Sequence, residues 1–212
     1  FIMSQIEVWD KKWSRVTKPL AQTPFAELVL KKTNGKNYKT LLDIGAGDGK
    51  DSIYFAKNGL KVTATDFSNI AIRRLNKQVK EEGLKIKSFV KDTKELYFEE
   101  KFDVIYSNLA MHYFTDKKTK EIIKNLNQML NKGGLLCIKC KSIEDIQYGK
   151  GEEIEKNMFL IKGKRMHLFS EDYMKEILEE FTIIHLKSYK DIHIMMEGNE
   201  VMSGFIEAIA KK

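Results

Sequence analysis

Apolar and polar positions along this chain repeat in two periods, which predict strands and helices in turn. Short apolar runs bounded by glycine or charged residues predict five strands, at 39–44, 61–65, 86–90, 102–106 and 135–140. Apolar positions three and four apart predict helices at 5–16, 25–32, 50–58 and 171–180, after Ser68, and around 122–130. Because strands alternate with helices, the pattern predicts a parallel sheet with right-handed crossovers.

The end of the chain follows a different pattern. A strand predicted at 182–187 is followed by two strand segments on either side of a hairpin turn at 197–200, Glu-Gly-Asn-Glu, and the chain closes with an apolar run at 204–210. Strands joined by a short turn run antiparallel. The chain is therefore predicted to be an α/β protein whose sheet ends in an antiparallel hairpin.

A glycine-rich turn follows the first predicted strand. Residues 41–49 read Leu-Leu-Asp-Ile-Gly-Ala-Gly-Asp-Gly, with Asp43 just before the turn. Alternating glycines let the backbone turn tightly and approach a ligand where a Cβ atom would collide. Asp66, at the end of the second predicted strand, is placed to accept both hydroxyls of a ribose. The alternatives are a turn that binds no ligand and an Asp66 that only starts the next helix.

The turn favours an adenosine cofactor that carries no phosphate. A dinucleotide fingerprint would have glycine at position 50, which is Lys50, and a phosphate-binding P-loop would continue with Ser or Thr where Asp51 stands. The carboxylates of Asp43, Asp48 and Asp51 would repel a pyrophosphate. They would tolerate a cationic ligand such as S-adenosylmethionine (SAM), which has a sulfonium and an α-amino group.

The Asp-x-Gly-x-Gly-x-Gly run and the later Asp66 resemble the class I SAM-dependent methyltransferases. The resemblance covers nearly the whole chain, so residues 1–212 are expected to form one domain. It implies a Rossmann-like, seven-stranded mixed sheet with strand order 3-2-1-4-5-7-6, the last strand antiparallel, and helices on both faces. It also implies SAM as the cofactor and S-adenosylhomocysteine (SAH) as its product.

In such a sheet the ligand lies at the carboxyl ends of the strands. The resemblance therefore implies cofactor contacts at four strand ends, from Asp43, Gly45, Ala46, Gly47, Asp66, Phe67, Asp92, Thr93, Ser107 and Asn108. Phe67 could pack on the adenine or belong to the core. Asp92 could accept from the adenine amino group or only cap the turn after it.

The N-terminal segment, residues 1–36, is expected to form a helical lid over the cofactor. Trp9 and Trp13 lie four residues apart and share one helix face. Their indole rings could attract the sulfonium by cation–π contact, or could simply pack on the domain. The run resembles the N-terminal segment of thiopurine methyltransferases and of bacterial tellurite-resistance methyltransferases, which act on small nucleophiles.

The segment 141–169 is long enough to be functional, and in this family it shapes the acceptor pocket. The expected pocket residues are Met111, His112, Tyr148, Arg165 and His167. Arg165 and His167 could hold an anionic acceptor or move a proton, or could be solvated surface.

Methyl transfer from a sulfonium needs a general base only if the acceptor arrives protonated. His112 is the first candidate, because the fold implies a place beside the methyl group. His193 is the second, because its surroundings resemble a Leu-His-Arg stretch of the tellurite-resistance enzymes, although Ile194 stands where the arginine would be. His185 lies in an apolar run and is expected to be structural.

Both cysteines, Cys137 and Cys140, lie in the fifth predicted strand. Their CxxC spacing could indicate zinc or redox chemistry, but positions three apart on a strand point to opposite faces. They are therefore expected to be buried thiols, and no metal site is predicted. Free thiols favour a reducing, cytoplasmic location.

The net charge of +7 could indicate nucleic acid as a partner. Arginine, the preferred residue for phosphate and base contacts, is scarce, and the lysines are spread along helices. Ser107-Asn108-Leu109-Ala110 lacks the prolines of base-amino methyltransferases, which argues against base flipping. The preferred hypothesis is therefore a bacterial methyltransferase of a small molecule, monomeric or homodimeric.

Three rival functions stay open. An RNA methyltransferase fits the charge, a nicotinamide oxidoreductase is disfavoured by Lys50, and a protein that binds SAM without turnover fits every motif. No apolar run approaches the roughly 18 residues of a membrane-spanning helix, and the N-terminus lacks a secretory signal pattern.

Overall fold

The computed structural model describes residues 5–16, 20–161, 163–194 and 200–212. Its strands are β1 Thr40–Ile44, β2 Lys61–Asp66, β3 Ile86–Val90, β4 Phe102–Asn108, β5 Leu130–Lys141, β6 Glu152–Glu155, β7 Met158–Ile161, β8 Lys164–His167, β9 Thr182–Ile194 and β10 Glu200–Lys211. Its helices are α1 Gln5–Ser14, α2 Pro24–Thr33, α3 Lys50–Lys57, α4 Asn69–Glu81, α5 Asp116–Met129 and α6 Glu171–Ile177.

Seven strands form one sheet in the order β3-β2-β1-β4-β5-β10-β9. The first five strands pair in parallel, and β10 runs antiparallel to both β5 and β9. The labels differ from the predicted order because three strands of a second sheet precede the last two. Within the large sheet, the final strand lies between the fifth and the sixth, as predicted. This confirms the α/β fold with a switch in strand order between β1 and β4.

The segment between β5 and α6 contains a small antiparallel sheet, β6-β7-β8, that the sequence analysis did not predict. Gly151 and Asn157, both with positive φ, lie at turns beside its strands. A hydrogen bond from the backbone N–H of Asp116 to the side-chain carboxylate of Glu155, 3.0 Å long, joins this sheet to the first turn of α5. The insertion is thus an ordered platform beside the large sheet.

Side-chain caps fix where most helices begin. Ser68 Oγ accepts from the Ala71 N–H at the start of α4, and Thr115 and Ser170 cap α5 and α6 in the same way. Thr23 caps α2, with Pro24 at the first helical position. These are local signals, and the predicted starts of α2, α4 and α6 lie within one residue of the observed ones. Helix α5 begins at Asp116, ahead of the region predicted around 122–130, and Leu130 belongs to β5.

Two apolar layers pack on the two faces of the large sheet. Cys140 belongs to the layer beneath α5 and α6, and Cys137 to the layer beneath α2 and α3. Both are fully buried free thiols on opposite faces, as predicted, and burial raises the pKa of each. Such thiols are inert.

Some element boundaries differ from the predictions. Strand β5 begins at Leu130 rather than at residue 135, because the Gly133-Gly134 pair lies within the strand at a shift in its register with β4. Strand β9 continues to Ile194, well past the predicted end at 187. Helix α6 ends at Ile177, three residues early. Most of the hairpin turn predicted at 197–200 lies outside the described residues.

None of the helices described is long and apolar enough to cross a membrane.

Candidate functional site

A cavity of about 450 Å³ lies at the carboxyl ends of β1, β2 and β4, beneath α1. This volume is typical of small-molecule sites, and the place is the switch point of the sheet. The structure brings most of the predicted residues together in its walls: Trp9, Trp13, Asp43, Gly45, Ala46, Gly47, Asp66, Phe67, Asp92, Thr93, Asn108, His112 and Arg165.

The glycine turn needs its glycines for two reasons. Gly45 and Gly47 have φ values of 70° and 59°, which residues that carry a side chain rarely adopt. A Cβ atom at Gly45 would overlap the side chain of Ala110, and one at Gly47 would overlap the ring of Trp13. The Gly45 and Ala46 N–H groups both donate to the Thr65 carbonyl, which fixes the turn to the end of β2.

Asp66 holds the turn in place as well as facing the cavity. Its carboxylate accepts from the Gly47 N–H at 2.9 Å and from the Ser68 N–H at 2.8 Å. Burial raises the pKa of Asp66 to about 6, the two N–H donors lower it, and the carboxylate of Asp10 raises it further. The helix-start role considered from the sequence is therefore present, and the cavity-facing position is present with it.

Asp43 is a deeply buried acid of the cavity wall. It accepts from Ser52 Oγ at 2.6 Å. Burial raises the pKa of Asp43 to about 8, although the Ser52 bond lowers it, and the charges of Asp51 and Asp66 raise it further. A buried, partly protonated carboxyl of this kind would gain from a cationic partner in the cavity.

Asp51, which the sequence analysis named only as a negative charge beside the glycine turn, has hydrogen-bond partners that the sequence did not predict. Its carboxylate accepts from the Thr23 N–H at 2.7 Å, from Thr23 Oγ1 at 2.9 Å and from the Tyr106 hydroxyl at 2.7 Å. It also accepts from Asn108 Nδ2 at 3.4 Å, which directs Asn108 Oδ1 away from it. That oxygen is buried without a hydrogen-bond partner among the described residues. The sequence showed an acid beside the glycine turn and in the first turn of α3, where acids are ordinary, and gave no sign of its distant partners.

Helix α1 lies over the glycine turn. Trp13 contacts Gly47, Trp9 meets the Tyr113 ring edge-on at 5.4 Å, and Ser68 Oγ donates to the Asp10 carboxylate. Both indoles therefore line the cavity, as the shared helix face predicted. The contact between Trp13 and Gly47 could not be read from the sequence, because it joins residues far apart in the chain.

The structure places four expected residues away from the cavity, which corrects their expected positions. Ser107 and Met111 are fully buried, because strand β4 and the short 3₁₀ turn Met111–Tyr113 direct them into the interior. Tyr148 is half-exposed, donates to Asn157 Oδ1 and packs against Phe159.

His167 is the fourth of these residues. Its ring packs between Phe169 and Tyr173, and burial lowers its pKa.

The remaining candidates are accounted for as follows. Asp92 accepts from the Lys94 N–H at the start of a 3₁₀ turn, so it caps that turn while also lining the cavity. His112 is buried, lines the cavity and lies against the Tyr113 ring. His185 pairs with Glu207 on the outer strands, as its structural assignment implied. The His193 side chain lies outside the described residues.

Comparison with known proteins finds relatives for the segment that contains the glycine turn. Residues 41–134 match the family described as "Methyltransferase domain". A probable S-adenosyl-L-methionine-dependent methyltransferase of Haemophilus influenzae, TehB, is 30% identical over 107 residues, which are 50% of this chain and 37% of TehB. The chain thus matches well under half the length of this relative.

Solved structures show the same fold over nearly the whole chain. The crystal structure of TehB from Haemophilus influenzae superposes with a TM-score of 0.71 and 21% identity, covering 98% of this chain and 66% of TehB. The N-methyltransferase NodS from Bradyrhizobium japonicum, crystallised with SAH, gives a TM-score of 0.71 and 17% identity over 98% of this chain and 97% of NodS. Residues 41–134 therefore match the methyltransferase-domain family, and nearly the whole chain shares the fold of these solved structures.

Proposed function

We propose that this protein transfers a methyl group from SAM to a small-molecule acceptor by in-line displacement. The observation that carries the proposal is the pair of buried carboxyls, Asp43 and Asp66, on either side of the glycine turn in one cavity. Buried acids without a cation beside them are costly, so the site is suited to a positively charged ligand that has hydroxyl groups.

The residues present fit SAM. Asp66 would accept from the ribose hydroxyls, while Asp43 and the unpartnered Asn108 Oδ1 would accept from the α-ammonium group. Phe67 and Asp92 line the cavity where adenine contacts are proposed, with Thr93 beside them. When bound, SAM supplies a methyl group on a sulfonium whose leaving group is neutral and needs no acid.

The chain's own contribution to the reaction is then alignment and the exclusion of water. Alignment can lower a barrier by up to about 7–11 kcal/mol. We propose that α1, within the N-terminal segment 1–36, is the lid, since Trp9 and Trp13 already cover the glycine turn. We propose that the insertion 141–169 forms the acceptor side of the cavity. Lys141, at the start of this segment, and Arg165, near its end, both line the cavity.

The first test is isothermal titration with SAM, SAH and NAD in parallel. We expect micromolar binding of SAM and SAH and none of NAD, because the acids at the turn oppose a pyrophosphate. Binding of NAD alone, or of nothing, would overturn the proposed function. Binding of SAM without turnover on any small acceptor would instead support a non-catalytic SAM-binding protein. The cytoplasmic location and the oligomeric state stay predictions.

His112→Ala should lower turnover at least tenfold while leaving SAM affinity nearly unchanged. The reason is that His112 lines the cavity and could take a proton from a protonated acceptor, a role worth about 10²–10⁴-fold where it operates. The measurement is SAH formation over a panel of small amines, phenols and thiols, with SAM affinity determined by titration. His185→Ala, in the pair with Glu207, is the control variant. Equal loss of turnover and affinity would make His112 a binding residue.

Tryptophan fluorescence should report the lid directly, because the chain has only two tryptophans and both lie on α1. In Trp9→Phe the signal comes from Trp13, which contacts Gly47. Saturating SAH should therefore change its intensity or emission maximum, with a midpoint that matches the calorimetric affinity. Trp13→Phe reports Trp9 in the same way. An unchanged spectrum in both variants would contradict a lid that meets the cofactor.

A further inference from the structure

Opposite charges reach the cavity from different parts of the fold. The carboxylates of Asp43, Asp48, Asp51 and Asp66 lie in or beside the glycine turn and at the end of β2, and that of Asp92 follows β3. Two cations come from the other direction: Lys141 from the end of β5, and Arg165 from β8 of the insertion. Strand β5 lies two places from β1 in the sheet, so these cations mark the acceptor side rather than the ribose side.

Arg165 differs from the other cations of the cavity wall in its partners. Lys141 pairs with the buried Asp145 at 3.0 Å, and Lys94 pairs with Asp92 at 3.5 Å. Lys12 lies over the Trp9 ring. The positive charge of Lys50 lowers the pKa of Asp48, against the rise that burial causes. In the part of the chain that the structure describes, no ion pair or hydrogen bond joins the Arg165 guanidinium to a carboxylate.

The cavity wall also includes apolar side chains from the turn that β8 contacts. Strand β8 packs against the turn that contains Tyr113, and Tyr113 and Phe114 both line the cavity. Leu109 also lines it, held at a φ of 58°. A guanidinium that shares a cavity with aromatic side chains, and that has no carboxylate partner among the described residues, offers a fork for a carboxylate beside a surface for an apolar body.

We propose that the methyl acceptor is an organic acid with an aromatic or aliphatic body, and that Arg165 binds its carboxylate while Tyr113 and Phe114 contact its body. This inference rests on the proposed function and names the substrate class of the same site. Arg165 is a specificity-determining residue here. It binds the acceptor through two parallel N–H donors and takes no part in the transfer itself.

The test uses protein saturated with SAH and three acids, each paired with its uncharged amide: benzoate with benzamide, phenylacetate with phenylacetamide, and hexanoate with hexanamide. Dissociation constants are measured by ligand-observed NMR. At least one acid should bind about tenfold more tightly than its amide, as expected for a hydrogen-bonded charge pair. Arg165→Gln should bring that ratio to within about twofold and leave SAH affinity unchanged. Arg165→Lys, which keeps the charge but loses the fork, should give an intermediate ratio.

Arg73→Gln, at an exposed position of α4, is the matched control and should keep the full ratio. The inference is overturned if no acid is preferred over its amide, or if Arg165→Gln retains the preference. An equal loss of SAH affinity in Arg165→Gln would assign the guanidinium to the carboxylate of the cofactor instead. These outcomes leave the proposed function intact, whereas a failure of SAH to bind the unmodified protein would overturn that function itself.

Discussion

Asp66→Ala should weaken SAM and SAH binding by about 1.5–3 kcal/mol, roughly tenfold to more than a hundredfold. The proposed ribose hydroxyls would lose a charged acceptor, and the Gly47 N–H, which donates to the same carboxylate at 2.9 Å, would lose its partner. Because Gly47 forms the cavity wall, both losses act on the cofactor site. Calorimetric titration with SAH measures the effect.

The same substitution should also lower the free energy of unfolding, and this separates two roles of Asp66. Leaving the buried N–H groups of Gly47 and Ser68 unpaired costs about 1–3 kcal/mol each where water cannot replace the carboxylate. Asp172→Ala, at an exposed position of α6, is a control that should change neither quantity. If stability falls while SAH affinity stays the same, Asp66 supports only the turn and the ribose assignment is wrong.

Asp43→Asn should stabilise the ligand-free protein at alkaline pH and weaken SAM binding. Burial raises the pKa of Asp43 to about 8, from an unfolded value near 3.8. A carboxyl whose folded pKa is raised contributes its full stability below the unfolded pKa and loses it as pH rises through the folded pKa. Asparagine does not titrate, so the variant should gain stability relative to the original protein as pH rises from 4 to 8.

The expected gain at pH 8 exceeds about 1.4 kcal/mol, the free energy of one pKa unit. Urea unfolding at pH 5, 7 and 8 measures it. SAM affinity should fall by roughly tenfold or more, because residue 43 would no longer offer a negative charge to the α-ammonium group of SAM. A stability difference that does not grow with pH would mean that Asp43 is not held protonated by burial.

Asp103→Asn is an informative control because the pKa of Asp103 is lowered, whereas that of Asp43 is raised. Although burial alone would raise the pKa of Asp103, donors from Lys39, Asn131 and Thr40 outweigh it and lower that pKa. A lowered folded pKa gives stability above the unfolded pKa that is lost as pH falls. The Asp103 variant should therefore be less stable than the original protein at neutral pH. Its SAH affinity should be unchanged, because Asp103 does not line the cavity.

The sequence predicted what depends on neighbours along the chain. The spacing of apolar positions predicted the succession of the five parallel strands and their helices along the chain, because each period reflects which face of an element is buried. Ser68 marked the start of α4 through local capping chemistry. The glycine turn and Asp66 identified the cofactor class, since phosphate and sulfonium ligands require opposite charges around the same backbone turn.

The extent of the last strands was beyond the sequence. Strand β9 runs on through polar residues to Ile194, because its pairing with β10 stabilises positions that lack an apolar pattern. The small sheet β6-β7-β8 was missed for a related reason: its strands are only four residues long and β6 is acidic throughout apart from Ile154. Strands of that length depend on their pairing more than on their composition.

The tertiary structure decided which candidate side chains share the cavity. Arg165 and His167 are two residues apart on β8, yet Arg165 lines the cavity whereas His167 is buried against Phe169. Asp51, an ordinary acid at a helix start, became a buried acceptor of hydrogen bonds from α2 and β4. By itself the sequence determined the fold class and the cofactor chemistry, because these follow from periodicity and from one contiguous turn. The partners of each charge were decided by contacts between distant segments, because the direction of each side chain is set by packing and not by local sequence.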